Sequence, residues 1–250
     1  MYHEIMISVI IPARQESETI SQIVYAAKPF CDEIIVVLSE WDTSTLAKVP
    51  SFARIVYENR QGKGYALRAG AESAYGTLLV FIDADLSHNP SDIPRLVAPI
   101  IAGDSKHVVA SRMLGGSSEL FYDIAQFIRL CGSHLITLCI NHKFNIKLTD
   151  SQNGFRAISK ELFQKLNVKE THTTIEQELT VKTLDNGEII IEVGAHEYAR
   201  FAGKSKIVVF RHGWRYIFYL LKVIFKKKRS VSFQQYSVLQ KKYNKYWFET

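Results

Sequence analysis

Short apolar runs rich in β-branched residues recur along the chain, and segments with a helical pattern separate them. Strands and helices that alternate at this spacing predict a doubly wound α/β fold, in which a mostly parallel sheet carries helices on both faces. The predicted strands are residues 7–12, 33–38, 53–57, 78–82, 107–111 and 188–193. The predicted helices are residues 17–28, 62–74, 119–140, 160–166, 174–184 and 206–229. At 250 residues the chain is long enough to bury a large core without disulfides.

Two aspartates, Asp83 and Asp85, directly follow one of these apolar runs, LLVFI. The run does not alternate, which is typical of a strand buried on both faces of a parallel sheet. Residues two apart in an extended segment point the same way, so we expect both carboxylates at the C-terminal end of the strand, where open α/β sheets bind ligands. A divalent cation would relieve their mutual repulsion. The alternative is a solvated turn or a helix cap before Asn89.

Charge is distributed unevenly along the chain. From Arg200 onward there are thirteen lysines and arginines and a single acid, a net charge of +12, whereas the preceding residues carry −6. This basic end predicts an anionic partner. Its segment 206–229 is aromatic and aliphatic and ends in KKKR, which is typical of an interfacial amphipathic helix on an anionic membrane surface. A packed helix with a solvated basic end is the alternative, and without helix-turn-helix, zinc or RNP motifs we expect no nucleic-acid partner.

Cysteine content and hydropathy indicate the compartment. The three cysteines form no C-x-x-C pair, which favours a reducing compartment. No apolar run reaches the roughly 20 residues that span a bilayer. We therefore expect a cytoplasmic protein that is peripheral on the inner face of the membrane. We expect one domain over residues 1–205, with a nucleotide-binding half at 1–111 and an acceptor half at 112–205, followed by a membrane-associating segment at 206–250.

Seven segments match, in order, the motifs of a known enzyme family. They are IIPARQE, ENRQGKGYALRAG, FIDADLSHNP, VVASRMLGG, FIRLCGS, TDSQNGFRA and EYARFAGKSKI, and together they span residues 7 to 206. The chain resembles family 2 glycosyltransferases, and among these the polyprenyl-phosphate enzymes of the dolichol-phosphate mannose and glucose synthase type. The resemblance implies a GT-A type fold and an inverting, metal-dependent transfer of a sugar from a nucleoside-diphosphate sugar to a polyprenyl phosphate.

The resemblance assigns a Mg²⁺ or Mn²⁺ ion to Asp83, Asp85 and the residue two positions further on. That residue is Ser87 here, where the polyprenyl branch has a glutamine, and a serine is the poorer ligand. His88 is an alternative ligand, although a single histidine beside a turn is more often a surface residue. A cation held by carboxylates neutralises the charge that develops on the departing diphosphate.

The residues that we expect at the nucleotide are Pro12, Arg14, Glu16, Glu40, Asp42, Lys63 and Asp83. The family's second strand usually ends in DDGSxD, whereas this chain has VVLSEWDTST. We expect Glu40 or Asp42 to replace the missing acids and Trp41 to stack on a base. Glycines flank Lys63 at a helix start, where free amides and a lysine can bind an anion, although a plain strand-to-helix turn explains the same glycines.

The resemblance implies that four cations, Arg112, Arg129, Arg200 and Lys206, face the acceptor phosphate together with Ser133. The planar guanidinium group suits bidentate phosphate binding. The residues implied to be catalytic are Asp85, Arg112, Asp150 and Arg200. A phosphate nucleophile is already anionic and needs no general base, whereas a hydroxyl acceptor needs one, for which Asp150, Glu176 and Glu178 are candidates.

Two other functions remain open from the sequence. One is sugar transfer to the hydroxyl of a carbohydrate or a small molecule. The other is a catalytically weak nucleotide-sugar binding protein, which the lost DDGSxD acids and Ser87 favour and the intact aspartate pair disfavours.

Overall fold

A computed structural model of the protein describes residues 5–118, 124–201, 219 and 233–244. Its strands form one sheet with the spatial order β3-β2-β1-β4-β6-β5-β7. All neighbouring strands are parallel except β6, which runs antiparallel to both β4 and β5. The strands are β1 (Ile7–Pro12), β2 (Glu33–Leu38), β3 (Arg54–Tyr57), β4 (Leu78–Phe81), β5 (His107–Ser111), β6 (Arg156–Ser159) and β7 (Ile190–Gly194).

Helices follow most of the strands, and their apolar residues recur with helical spacing. In the first helix the buried positions are Ile20, Ile23, Val24 and Ala27, a single stripe that faces the sheet. The helices are α1 (Ile20–Ala27), α2 (Thr43–Leu46), α3 (Lys63–Ser73), α4 (Ile93–Ile101), α5 (Arg112–Gly115), α6 (Ile124–Phe144), α7 (Lys160–Leu166), α8 (Ile175–Asp185) and α9 (Phe233–Asn244).

The core lies on both faces of the sheet, because neighbouring residues of the central strands belong to opposite clusters. Val9 and Ile11 of β1 pack with α1 and α4, whereas Ile10 between them packs with α3, α7 and α8. All four residues of β4 are buried. This confirms the doubly wound, mostly parallel fold that the apolar runs predicted.

Five elements were not predicted from the sequence, namely strand β6 and helices α2, α4, α5 and α9. Strand β6 is inserted antiparallel between β4 and β5, and helix α9 packs on the edge strand β7. The backbone N–H of Glu192 donates to Gln240 Oε1 at 3.2 Å, and Asn244 Nδ2 donates to the Glu192 carbonyl at 2.9 Å. Side-chain amides of α9 thus satisfy backbone groups that an edge strand leaves unpaired.

The predicted amphipathic helix at 206–229, with Lys206, lies outside the described residues apart from position 219, so the membrane-associating role of 206–250 stays a prediction. Helix α9 falls within that segment and is packed against the folded body. Across the described ranges, no helix has both the length and the hydropathy that a bilayer crossing requires.

Candidate active site

The two aspartates lie just beyond the C-terminal end of β4. Ile82 and Ala84 are buried in the core, so Asp83 and Asp85 alternate with core residues. Asp83 is partly exposed and Asp85 is buried. Each carboxylate has a cationic partner of its own, Lys63 for Asp83 and Arg200 for Asp85.

The ammonium group of Lys63 bridges two carboxylates. Its Nζ lies 2.6 Å from Asp83 Oδ1 and 2.8 Å from Glu176 Oε1. Burial disfavours the charged lysine, but the two carboxylates outweigh burial and raise its pKa. Burial likewise raises the pKa of Asp83, but the charge and hydrogen bond of Lys63 outweigh it and hold that pKa below its usual range. Lys63 is therefore charged and forms ion pairs with both carboxylates.

The glycines beside Lys63 are required by a close approach between two backbone segments. Added Cβ atoms at Gly62 and Gly64 would lie 2.0 and 2.1 Å from the carbonyl oxygens of Thr171 and Glu170. The Gly64 N–H donates to the Thr171 carbonyl at 3.0 Å. That amide is thus already paired, which favours the turn interpretation of this G-K-G segment over an anion site.

Asp85 is held on both of its oxygens. The backbone N–H and the hydroxyl of Ser87 donate to Oδ1 at 3.1 and 2.6 Å, and Arg200 Nη1 lies 3.2 Å from Oδ2. Arg200 belongs to a segment that we call the 195–201 strap. The strap runs beside this loop, since Tyr198 N–H donates to the Ser87 carbonyl at 2.8 Å and Phe201 N–H to the Asp85 carbonyl at 3.4 Å.

The oxygen atoms at this position suit a magnesium or manganese ion that is completed by substrate phosphates. Such ions are usually held by one or two carboxylates together with phosphate oxygens and water. Asp85 and the adjacent Ser87 hydroxyl supply two oxygen ligands. Across the described residues, no three His, Cys, Asp or Glu side chains form a metal-binding group. Asp85 and Ser87 thus supply part of a coordination shell that diphosphate oxygens and water would complete.

His88, the alternative ligand, is a buried residue and not a surface one. Its ring is 4% exposed and packs on Phe155 with ring centroids 5.2 Å apart. Burial lowers its pKa, so the ring is neutral at pH 7. Its Nδ1 has no hydrogen-bond partner among the described residues.

Arg112 is clamped between two acids. Its Nε and Nη2 donate to Asp150 at 2.6 and 3.0 Å in a bidentate pair, and its Nη1 lies 3.5 Å from Glu197 Oε1. Burial raises the pKa of Asp150, but Arg112 outweighs it and holds that pKa below its usual value. The guanidinium is therefore fixed in orientation, and Asp150 is a weak proton acceptor.

The other two candidate bases are engaged as well. Glu176 pairs with Lys63. Glu178 accepts the backbone N–H groups of Lys169 at 2.8 Å and Glu170 at 2.6 Å and forms an ion pair with Lys182 at 2.8 Å. Each of the three carboxylates thus has a cation within ion-pair distance.

Five of the residues predicted for the nucleotide lie at or just beyond the C-terminal ends of β1 and β2, whereas Lys63 begins α3 and Asp83 follows β4. Asp42 is buried and caps α2, where it also accepts the Gln15 N–H at 2.6 Å. Glu40 and Trp41 are exposed, and the Arg14 guanidinium lies 5.7 Å from the Trp41 ring centroid. The cap holds Asp42 in place, whereas Glu40 and Trp41 are accessible to a ligand. The other two predicted nucleotide residues on this side are Pro12, which ends β1, and Glu16, whose N–H donates to Thr45 Oγ1 at 2.9 Å.

Two of the predicted acceptor residues have described side-chain contacts at the site. Arg200 contacts Asp85, and Arg112 is held by Asp150 and by Glu197 of the strap that carries Arg200. Arg129 and Ser133 lie on α6, one turn apart. That helix is tied to the loop before β6, because Thr137 Oγ1 lies 2.8 Å from Ser151 Oγ.

Three residues that sequence reasoning missed hold the site together. Arg156 is fully buried and donates to the carbonyls of Asn153 at 3.0 Å and Glu176 at 3.1 Å. Glu197 accepts from Ser117 and contacts Arg112. Glu192 accepts the Asp150 N–H at 2.6 Å, and burial raises its pKa to about 7. The signal for Glu192 was present, since it is a lone acid in the apolar run IIIEV.

Comparisons with known proteins identify a family. Residues 8–166 match the model of glycosyl transferase family 2. A UDP-N-acetylglucosamine–dolichyl-phosphate N-acetylglucosaminyltransferase of Methanococcus voltae is 29% identical over 170 residues, which cover 64% of this chain and 66% of that protein. A glucosyl-3-phosphoglycerate synthase of Mycolicibacterium paratuberculosis is 34% identical over 119 residues, 42% of this chain and 36% of that protein. The matches thus span at most about two thirds of these relatives.

Solved structures share the fold. The glucosyl-3-phosphoglycerate synthase of Mycobacterium tuberculosis, in complex with Mn²⁺, uridine diphosphate and phosphoglyceric acid, superposes with a TM-score of 0.67. The superposition covers 89% of this chain and 80% of that one, at 23% sequence identity. At that identity the likeness establishes the fold, and the ligands belong to the mycobacterial enzyme.

Proposed function

The chain belongs to glycosyl transferase family 2, whose model covers more than half of it, and from this premise we propose that it moves a sugar from a nucleoside diphosphate to a polyprenyl phosphate. The matching archaeal transferase is named for a dolichyl-phosphate acceptor, which supports this class of acceptor. Inversion at the anomeric carbon follows from the same resemblance.

The observation that carries this proposal is that each candidate base forms an ion pair. Asp150, Glu176 and Glu178 are each paired with a cation. A hydroxyl acceptor must lose a proton to a base during transfer, whereas a phosphate monoester is already anionic at neutral pH. A site whose acids are all neutralised therefore favours a phosphate nucleophile, and positioning together with charge neutralisation supplies the catalysis.

We place the divalent cation on Asp85, with the Ser87 hydroxyl beside it and diphosphate oxygens completing its coordination. When bound, a Mg²⁺ or Mn²⁺ ion neutralises the charge on the leaving diphosphate. Asp83 is already paired with Lys63, so we propose that it contacts the nucleotide and that Asp85 binds the ion. Trp41 and Glu40, both exposed, are the proposed contacts to the base and the ribose.

Arg112 and Arg200 are proposed to orient the acceptor phosphate. Arg112 is held rigidly by Asp150 and Glu197, and the 195–201 strap that carries Glu197 also carries Arg200. Arg129, Ser133 and Lys206 complete the proposed acceptor set. We propose that the basic segment 206–229 places the enzyme on the inner face of the cytoplasmic membrane, where such an acceptor resides.

One assay tests the proposed function. Purified protein is incubated with Mn²⁺, radiolabelled nucleotide sugars and either a polyprenyl phosphate or soluble acceptors that include 3-phosphoglycerate. We expect label in the organic phase, its loss with Asp85→Asn, and its retention with the surface control Glu161→Gln. Label that appears only on phosphoglycerate would favour the second candidate, a small-molecule glycosyltransferase, which the mycobacterial relative suggests. Nucleotide binding with no transfer to any acceptor would favour the binding-protein alternative.

A further inference from the structure

The two aspartates are neutralised by cations of very different accessibility. Lys63 contacts two carboxylates, and its side chain is only 16% exposed. Gly154 lies so close that an added Cβ would be 2.6 Å from Nζ. Arg200 lies at 3.2 Å from Asp85, and its side chain is 30% exposed. Lys63 is therefore the less exposed of the two cations, and it is held by two carboxylates.

The element that carries Arg200 is held by a few backbone hydrogen bonds. The 195–201 strap begins beside β5, where the Ala195 N–H donates to the Ser111 carbonyl at 3.3 Å. The strap then pairs with residues 116–118, since the Glu197 N–H donates to the Gly116 carbonyl and the Ser118 N–H donates to the Glu197 carbonyl. At its far end, the Phe201 N–H reaches the Asp85 carbonyl at 3.4 Å, the longest of these bonds. Arg200 thus lies directly before the longest of these backbone hydrogen bonds.

A divalent ion and a guanidinium on the same carboxylate repel each other. Asp85 Oδ1 already accepts two hydrogen bonds from Ser87, so Oδ2, the oxygen that Arg200 contacts, is the more accessible ligand for an ion. The ion and Arg200 therefore compete for one oxygen atom.

We propose that Arg200 is a displaceable counterion, which occupies Asp85 until the metal and donor bind and then pairs with the phosphate of the acceptor. This inference rests on the proposed function, since it needs a donor that brings a cation and an acceptor that brings an anion. Donor loading then creates the acceptor site, and the acceptor binds second. Lys63 stays on Asp83 throughout, so the two aspartates have separate roles.

Binding of Mn²⁺ alone, followed by electron paramagnetic resonance of the free ion, tests the first half. Arg200→Ala should bind Mn²⁺ about tenfold more tightly than the wild type, because the competing cation is gone. Arg200→Lys keeps a positive charge and should stay near the wild type. The double variant Arg200→Ala/Asp85→Asn should lose the gain, and Arg95→Ala, a surface control, should show none.

An Arg200→Ala variant that binds Mn²⁺ no more tightly than the wild type would overturn the inference, as would equal tightening in Arg200→Lys. Circular dichroism and thermal melts establish that each variant is folded.

The second half is tested with farnesyl phosphate in a calorimeter, with and without Mn²⁺ and a nucleoside diphosphate. The wild type should bind it about tenfold more tightly when both are present, and Arg200→Ala should lose this difference. If Mn²⁺ binding tightens as expected but farnesyl phosphate never binds, the proposed acceptor is wrong and the counterion exchange at Asp85 stands. If farnesyl phosphate binds equally well with and without donor components, delivery of Arg200 to the acceptor is refuted.

Discussion

Replacing Lys63 by methionine removes the cation that Asp83 and Glu176 share. The side chain of Glu176 is 4% exposed and that of Asp83 is 31% exposed. Methionine is similar in length to lysine and apolar, so the substitution removes the charge and leaves little empty space. Two carboxylates then remain at the C-terminal edge of the sheet without their nearest positive charge.

The free energy of unfolding should fall by about 3 kcal/mol at pH 7. Breaking a buried ion pair by removing one partner costs roughly 3–5 kcal/mol, and the partial exposure of Asp83 places this case at the low end. For a chain of this size, that loss lowers the melting temperature by roughly 6–12 °C. Lys106→Met, which removes a lysine whose side chain is 44% exposed, should cost about 0.5 kcal/mol.

The pH dependence of the loss identifies its cause. In the wild type the lowered pKa of Asp83 contributes stability that is present above its unfolded value and is lost as pH falls. In the Lys63→Met variant Asp83 loses the cation that holds its pKa down, and burial should raise that pKa above the unfolded value. The variant should therefore gain stability relative to the wild type between pH 7 and pH 5.

Urea unfolding at both pH values measures these differences. The double variant Lys63→Met/Glu176→Gln should recover about half of the loss at pH 7, since it no longer buries an unpaired acid. A deficit below 1 kcal/mol, or a deficit of equal size at pH 7 and pH 5, would refute the view that Lys63 neutralises a buried acid pair.

Three more outcomes are expected. Asp150→Asn breaks the bidentate pair with Arg112 and should cost about 3 kcal/mol in urea unfolding and most of the turnover. Burial raises the pKa of Glu192 to about 7, so the folded protein retains a proton that the unfolded chain releases. The free energy of unfolding should therefore fall by about 3 kcal/mol as pH rises from 4.5 to 7, and Glu192→Gln should abolish this fall. Gly64→Ala forces a Cβ to 2.1 Å from a backbone oxygen and should lower the melting temperature by several degrees, whereas Gly132→Ala, on a helix with nothing within 4 Å, should raise it slightly.

Local patterns were sufficient for most of the secondary structure. The apolar runs at 7–12, 33–38 and 107–111 form strands with those bounds. A strand that is buried on both faces has apolar side chains at consecutive positions, so it is visible in the sequence as a continuous apolar run. Strand β6 escaped prediction since it begins with Arg156, a charged residue in a four-residue element. Arg156 can be buried because its guanidinium group donates hydrogen bonds to backbone carbonyls.

The sequence offered candidate residues for the site but not their pairings. The two aspartates were expected to share one cation, which stays a prediction, and the structure adds that each also contacts a protein cation. Arg112 was assigned to the acceptor by its motif, and the structure adds its clamp by Asp150 and Glu197. Motif order identifies which residues lie near the site, but it does not record which oppositely charged neighbours they meet.

The sequence by itself determined the doubly wound sheet, the aspartates at the end of β4 and the enzyme family, because each of these depends on residues close together in the chain. Tertiary structure alone decided that Lys63 would pair with Glu176 and Arg200 with Asp85, partners more than a hundred residues apart. It also decided that α9 would return to cover the edge of β7. The physical reason is that burial and periodicity are local properties of the chain, whereas these two ion pairs exist because folding brings distant charges to the same low-dielectric edge of the sheet.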